Sequence, residues 1–366
     1  MTSESHYPCE SCGADLRFAP GQTRLVCDHC GHVQDIPGAV ERGNHSLREL
    51  NLAAALRADL PDIEIEEHRT LSCPNCGAQI DLKDGHHATD CPFCATPVVT
   101  DTGTRRMIKP QGVIPFQLTE KQARDALGAW LGRLWFAPNG LVQYARRGRK
   151  LTGIYAPFWT FDALTQSDYA GQRGDFYFES QEVTVNVNGR LERRTQQVQK
   201  IRWEHKTGRT RRLFDDVLIY AARSLPGQST DGLRPWDLSA LNPYATDYLA
   251  GFEAEGYTVE LREGHHLAQA EMARVIESDV KRDIGGDAQR VSRIDSDYSD
   301  ETFKHILLPI WTAAYRYRDR PYRFVVNGQT GRVQGERPYS AWKIGFAVAV
   351  ALIVAGVIVY FGQQQP

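Results

Sequence analysis

Apolar positions along this chain follow three rhythms. Ala123, Leu127, Trp130, Leu131, Leu134 and Trp135 recur at the spacing of one helix face behind Thr119, a good N-cap. Ala268, Met272, Ile276, Val280 and Ile284 repeat that spacing. Residues 154–161 form instead a β-branched and aromatic run with strand character. Val183-Thr184-Val185-Asn186-Val187 alternates and leads through Asn188-Gly189 into a basic strand, a hairpin signature. Residues 307–317 predict another strand, and 322–326 enter Asn327-Gly328 and return through Arg332-Val333. Helix, strand and Asn-Gly hairpin thus occur twice, and Pro157-Phe158-Trp159-Thr160 matches Pro309-Ile310-Trp311-Thr312. The expectation is an α+β region over 104–340, a central antiparallel sheet with helices, duplicated as units 105–224 and 225–340. Coincidence between two aromatic core strands is the competing explanation of a four-residue match.

The third rhythm has no polar face at all. Residues 344–361, IGFAVAVALIVAGVIVYF, carry no charge and are flanked by Trp342, Lys343 and Tyr360. At about 1.5 Å per residue such a run just crosses a hydrocarbon core of about 30 Å, which predicts a transmembrane helix over 342–362. Arg332, Arg337 and Lys343 precede it and none of 362–366 is charged, so the rule of positive residues inside puts the N-terminal part in the cytoplasm. Ala347, Ala351 and Ala355 offer a face for another membrane helix.

Cysteine changes the picture for the first hundred residues. All eight cysteines fall into two copies of one pattern, Cys9-x-x-Cys12 with Cys27-x-x-Cys30 and Cys73-x-x-Cys76 with Cys91-x-x-Cys94. Each such turn aims two sulfurs at one point, and a second turn one hairpin away completes a tetrahedron, the closed geometry of structural zinc. Gly13, Gly31 and Gly77 follow second cysteines, as left-handed knuckles require, while Ala95 departs from the pattern. Disulfides would need an export signal, and residues 1–17 have none. The expectation is two structural zinc ions, in ribbon 1 (1–37) and ribbon 2 (70–103). The linker 38–69 is expected to hold a helix capped by Ser46 and Glu49, with Leu47, Leu50, Ala54 and Ala58 along one face.

The formal net charge of −2 hides a division: the cysteine region is acidic, residues 104–224 are basic, and the remainder is mildly acidic. Arg146, Arg147, Arg149 and Lys150, with Arg209, Arg211 and Arg212, are the candidate contacts for an anionic partner: lipid headgroups, the acidic ribbons themselves or, less favoured, nucleic acid. His86-His87 and His265-His266 read as solvated loop pairs. Residues 295–301 lack the glycine a calcium loop needs and read as an acidic surface loop. The chain carries no P-loop, no H-E-x-x-H and no G-x-S-x-G, so nothing in it reads as an enzyme.

Tandem ribbons, the phrases over 302–311 and 327–331, and the apolar end together resemble a bacterial family of membrane-anchored proteins with tandem zinc ribbons of the transcription factor IIB type. Its members are often labelled primosomal protein N′ (replication factor Y), superfamily II helicase. Helicase activity does not carry over, since no Walker motif and no room for motor domains exist here; only the eight zinc ligands do. The segment through 322–333 also resembles small peptidase-propeptide-like modules, which implies binding or regulation. The function expected is a non-enzymatic zinc-binding adaptor or scaffold, anchored by one pass in the bacterial inner membrane with its N-terminal part cytoplasmic, serving membrane-associated protein partners in envelope maintenance. The alternative is a membrane-associated nucleic-acid-binding protein of replication.

Overall fold

The computed structural model describes residues 7–36, 47–57, 61, 64–81, 88–94, 96–99, 103–134, 151–187, 190–317, 320–336 and 341–362. The first segment is a three-stranded antiparallel sheet, β1 (Leu16–Phe18), β2 (Arg24–Cys27) and β3 (Val33–Asp35). A short strand β4 (Leu50–Asn51) and helix α1 (Leu52–Leu56) follow, then β5 (Ile65–Ser72), β6 (Gln79–Asp81), β7 (Ala88–Asp90), β8 (Pro97–Val99), β9 (Gly103–Ile108) and β10 (Gly112–Val113). Helix α2 (Glu120–Gly132) leads to two very long strands, β11 (Thr152–Val187) and β12 (Arg190–Tyr220). After β13 (Asn242–Pro243) and β14 (Glu253–Gly256) come helix α3 (Leu261–Ile284), β15 (Ala288–Tyr317), β16 (Arg320–Asn327), β17 (Val333–Gly335) and helix α4 (Ala341–Gly362).

Strand predominates over helix among the described residues, so the fold is mostly β rather than the α+β class the sequence pattern suggested. The reason is strand length. Local patterning marks 154–161 and 307–317, the fully covered stretches, but β11 and β15 continue far beyond them. Residues 153–161 are buried throughout, as strands packed on both faces must be. From Phe161 to Gly171 burial alternates: Ala163, Thr165, Ser167 and Tyr169 face inward, while Leu164 and Asp168 are exposed. Helix α3 covers that inward face with the predicted stripe Ala268, Met272, Ile276, Val280 and Ile284, all buried. Its approach depends on Gly264, where a Cβ would lie 2.7 Å from the Trp159 ring.

β11 and β15 pair antiparallel from Thr152↔Thr312 to Gly174↔Ala288. Around this pair, two segments share one order of elements: short strand, helix, long strand, return strand. In one they are β10, α2, β11 and β12; in the other β14, α3, β15 and β16. Each short strand runs parallel to the long strand of the other segment, β10 at Gly112↔Ile306 and β14 at Ile154↔Glu253. The return strands end at Phe158↔Tyr220 and Ile310↔Asn327. Corresponding positions, 154 and 306 or 158 and 310, lie 152 residues apart, the interval that separates Pro157 from Pro309. Neither half completes its sheet without the other.

Several local expectations are revised. Thr119 caps α2, as the sequence implies, and the structure adds a capping box with Gln122. Helix α1, however, starts one turn later than expected, with Asn51 as N-cap accepting from Ala54 N–H, because Leu50 is drawn into a β-bridge with Phe303. Glu49 faces Lys304 instead of capping a helix, and Ser46 lies outside the described residues. Residues 295–301 are strand within β15, not a loop.

The membrane expectation is corrected. The apolar run 344–361 is helical, within α4, but among the described residues no helix is long and apolar enough to cross a membrane. The single-pass helix over 342–362 and the inner-membrane placement drawn from it are therefore not carried by the structure.

Candidate metal centres and the charged clusters around them

Each cysteine pattern folds as two knuckles. In the first, Cys9 N–H donates to Ala14 O and Gly13 N–H to Cys9 O; Cys27 N–H to His32 O and Gly31 N–H to Cys27 O repeat it. Cys73 with Ala78 and Gly77 builds the third. Gly13, Gly31 and Gly77 adopt φ of +73°, +74° and +71°, the left-handed region. Ala95 lies outside the described residues, yet Cys91 N–H still donates to Thr96 O, closing the fourth knuckle.

These turns bring Cys9, Cys12, Cys27 and Cys30 into one cluster and Cys73, Cys76, Cys91 and Cys94 into another, with all sulfurs of a cluster within 4.8 Å of one another. Cys9–Cys30 and Cys73–Cys94 Sγ atoms are 3.5 Å apart, Cys12–Cys27 and Cys76–Cys91 3.6 Å. A disulfide would need about 2.05 Å. A tetrahedron with metal–sulfur arms of about 2.3 Å has edges of about 3.8 Å. The spacing and donor set thus fit two metal ions, one per cluster. Within each cluster the thiols are pushed in opposite directions: the Cys30 backbone N–H pulls Cys27 down to about 6 and the Cys91 thiol pulls Cys76 down to about 5, while the same contact with Cys76 raises Cys91.

Both clusters are built into the core. Phe18 N–H donates to Ala250 O, and its ring meets Tyr248 edge-on at 5.5 Å; Gly21 N–H donates to Phe116 O. The second cluster is attached by the β6 to β14 pairing at Ile80↔Glu255. Beside it, Glu255 is buried and accepts from Tyr220 Oη at 2.8 Å, and burial pushes its carboxyl up to about 8.

The basic candidates divide. Arg146, Arg147, Arg149 and Lys150 lie outside the described residues. Arg209 forms a two-point pair with Asp168 at 2.6 and 2.8 Å, Arg212 does so with Asp279 at 2.5 and 2.8 Å, and Arg211 donates to Gln166 at 2.9 Å. The Arg212 hydrogen bond holds Asp279 below the usual carboxylate range. Of the histidines, His86 and His87 also lie outside. His265 is on α3, buried, and bonded to Glu301 at 2.6 Å rather than solvated.

Sequence reasoning missed a third cluster. Lys304, with its side chain 6% exposed, meets Asp216 at 2.8 Å, Glu49 at 3.0 Å and Asp162 at 3.4 Å. Asp162 and Asp216 sit at the irregularity between Phe161 and Ala163, where Asp216 takes φ +54° and its N–H donates to Asp162. Burial raises Asp162, whereas Glu49 is lowered by hydrogen bonds from Thr302 and Lys304 against its own burial. The members come from positions 49, 162, 216 and 304, so no local motif announces them.

The uncharacterized protein YdjG of Bacillus subtilis (strain 168) is 26% identical to this chain over 343 residues, covering 92% of the chain and 91% of its own length. No protein-family model and no solved structure matches the chain.

Proposed function

We propose that this protein is a non-enzymatic scaffold in which two structural zinc ions clasp an intertwined β-sheet core, and that its work is to hold protein partners. The observation that carries the reading is the closure of both four-sulfur clusters. Four thiolates fill a tetrahedral ion completely and leave no position for water or substrate. Tetrahedral all-sulfur donors suit zinc. Strands of three or four residues such as β1, β2 and β3 bury too little to hold themselves, so the ion supplies their folding free energy. Buried ionisable groups elsewhere are consumed internally, in Lys304 with its carboxylates and His265 with Glu301. A nucleic-acid role draws less support, since Arg209 and Arg212 are held by Asp168 and Asp279.

The test is crosslinked capture of the full chain with and without nuclease. Protein partners recovered equally in both supports the scaffold. Recovery that disappears with nuclease, or substrate turnover abolished by removing one thiol ligand, overturns it.

A further inference from the structure

We propose that the projecting arm of β11 and β12 is a self-association surface, taking as its partner the β12 strand of a second copy of this chain. β15 accompanies β11 only to Gly174↔Ala288, whereas β11 and β12 stay paired to Val187↔Arg190. Residues 175–187 and 190–202 therefore leave the body as a two-stranded ribbon about 40 Å long at 3.3 Å per residue. A ribbon of two strands is marginal by itself in water, and a third or fourth strand is what makes such a sheet stable. Among the described residues no strand lies against the outer edge of β12, and such an edge is a template for another chain. At the root of the arm Phe176, Phe178 and Ile201 are 44%, 67% and 40% exposed, an apolar face that a wider sheet would extend.

Charge selects the partner and the register. Beyond Gly174, β11 carries only Asp175, Glu179 and Glu182, so two copies of that edge repel. β12 carries both signs in an order that complements itself about Gln199. Antiparallel pairing centred there sets Arg194 opposite Glu204, position 192, a glutamate, opposite Lys206, and Gln199 opposite its own copy. Shifting the centre by one residue to 198 sets Arg194 opposite Arg202 and 192 opposite Glu204; shifting it to 200 sets Arg194 opposite Lys206. Like charges directly opposite destabilise a sheet and unlike ones stabilise it. The two-fold pairing closes on itself as a dimer of four strands across the arm.

The test uses sedimentation velocity on the full chain. Arg194→Glu or Glu204→Arg alone turns two attractive pairs repulsive and weakens the dimer about ten- to hundredfold. The double variant Arg194→Glu/Glu204→Arg restores it to within about threefold by the same pairing rule. Under mild oxidation Gln199→Cys crosslinks two copies and Gln197→Cys, which faces Ile201 in this register, does not. A wild-type chain that stays monomeric, species larger than a dimer, a double variant no better than the singles, or equal crosslinking at both positions overturns the proposal.

Discussion

Replacing Lys304 by methionine removes one ammonium and leaves three carboxylates facing one another. Glu49, Asp162 and Asp216 all lie within 3.4 Å of Nζ, and the lysine itself is 5% exposed. Removing one partner of a buried pair costs about 3–5 kcal/mol, since the charge left behind has neither water nor counter-ion. The Glu49 side chain is 40% exposed, so part of its field is screened and the lower end, about 3 kcal/mol, is the expected loss. At about 2.1 cal/mol/K of unfolding entropy per residue, that corresponds to a fall in thermal midpoint of about 4 °C for a chain of 366 residues. Desolvation opposes the charge of Lys304, but the hydrogen bond and field of Asp216 outweigh it and raise its pKa. The lysine is therefore charged throughout the neutral range, and its contribution persists until the pH rises through that elevated value. In the variant, Asp162 loses the opposing ammonium and rises further. A carboxyl raised in the folded state costs stability as pH rises, so the deficit should be largest near neutrality and shrink toward about pH 4. Far-UV circular dichroism during heating at both pH values reads the difference. The double variant Lys304→Met/Asp162→Asn should recover part of the loss. A deficit under about 1 kcal/mol, or one that does not change with pH, refutes the argument.

Glu255→Gln should flatten a pH dependence of the wild type: with the carboxyl raised to about 8, its stability contribution is present below the ordinary glutamate pKa and lost as pH rises through about 8, so the variant should gain relative to wild type above that pH in urea titrations. Gly77→Ala meets no neighbouring atom, but its φ of +71° costs a Cβ residue about 1–2 kcal/mol, which should weaken metal binding at the second cluster about tenfold in a chelator competition while the first is unchanged. Chelation should lower the stability of the sheet core as well as the ribbons, because β6 pairs β14 and Phe18 packs on Tyr248; a core melting unchanged after metal removal contradicts that coupling.

Legibility in the sequence tracked locality. The cysteine clusters were fully legible, since each knuckle is closed by bonds within six residues and the paired spacing fixes the rest. The stripe of α3 and the N-cap at Thr119 were legible for the same reason. Strand length was not: β11 from Asp162 onward alternates apolar with polar only weakly, and what holds it is β15, more than a hundred residues away. The acidic run 295–301 looked like a loop because its outward side chains are charged, while its backbone continues the ladder opposite 164–168. Arg209 and Arg212 looked available because Asp168 and Asp279 are remote in the chain. The apolar end was read as a membrane span from hydropathy and run length alone, while no helix among the described residues is long and apolar enough to cross a membrane.

Metal content measures the central claim most directly. Native mass spectrometry of the full chain, with X-ray absorption at the zinc edge, should find two zinc ions per chain, each with four sulfur neighbours at about 2.3 Å. Fewer than two metals per chain, or a nitrogen or oxygen donor in either first coordination sphere, would contradict the closed four-sulfur centres on which the scaffold reading rests.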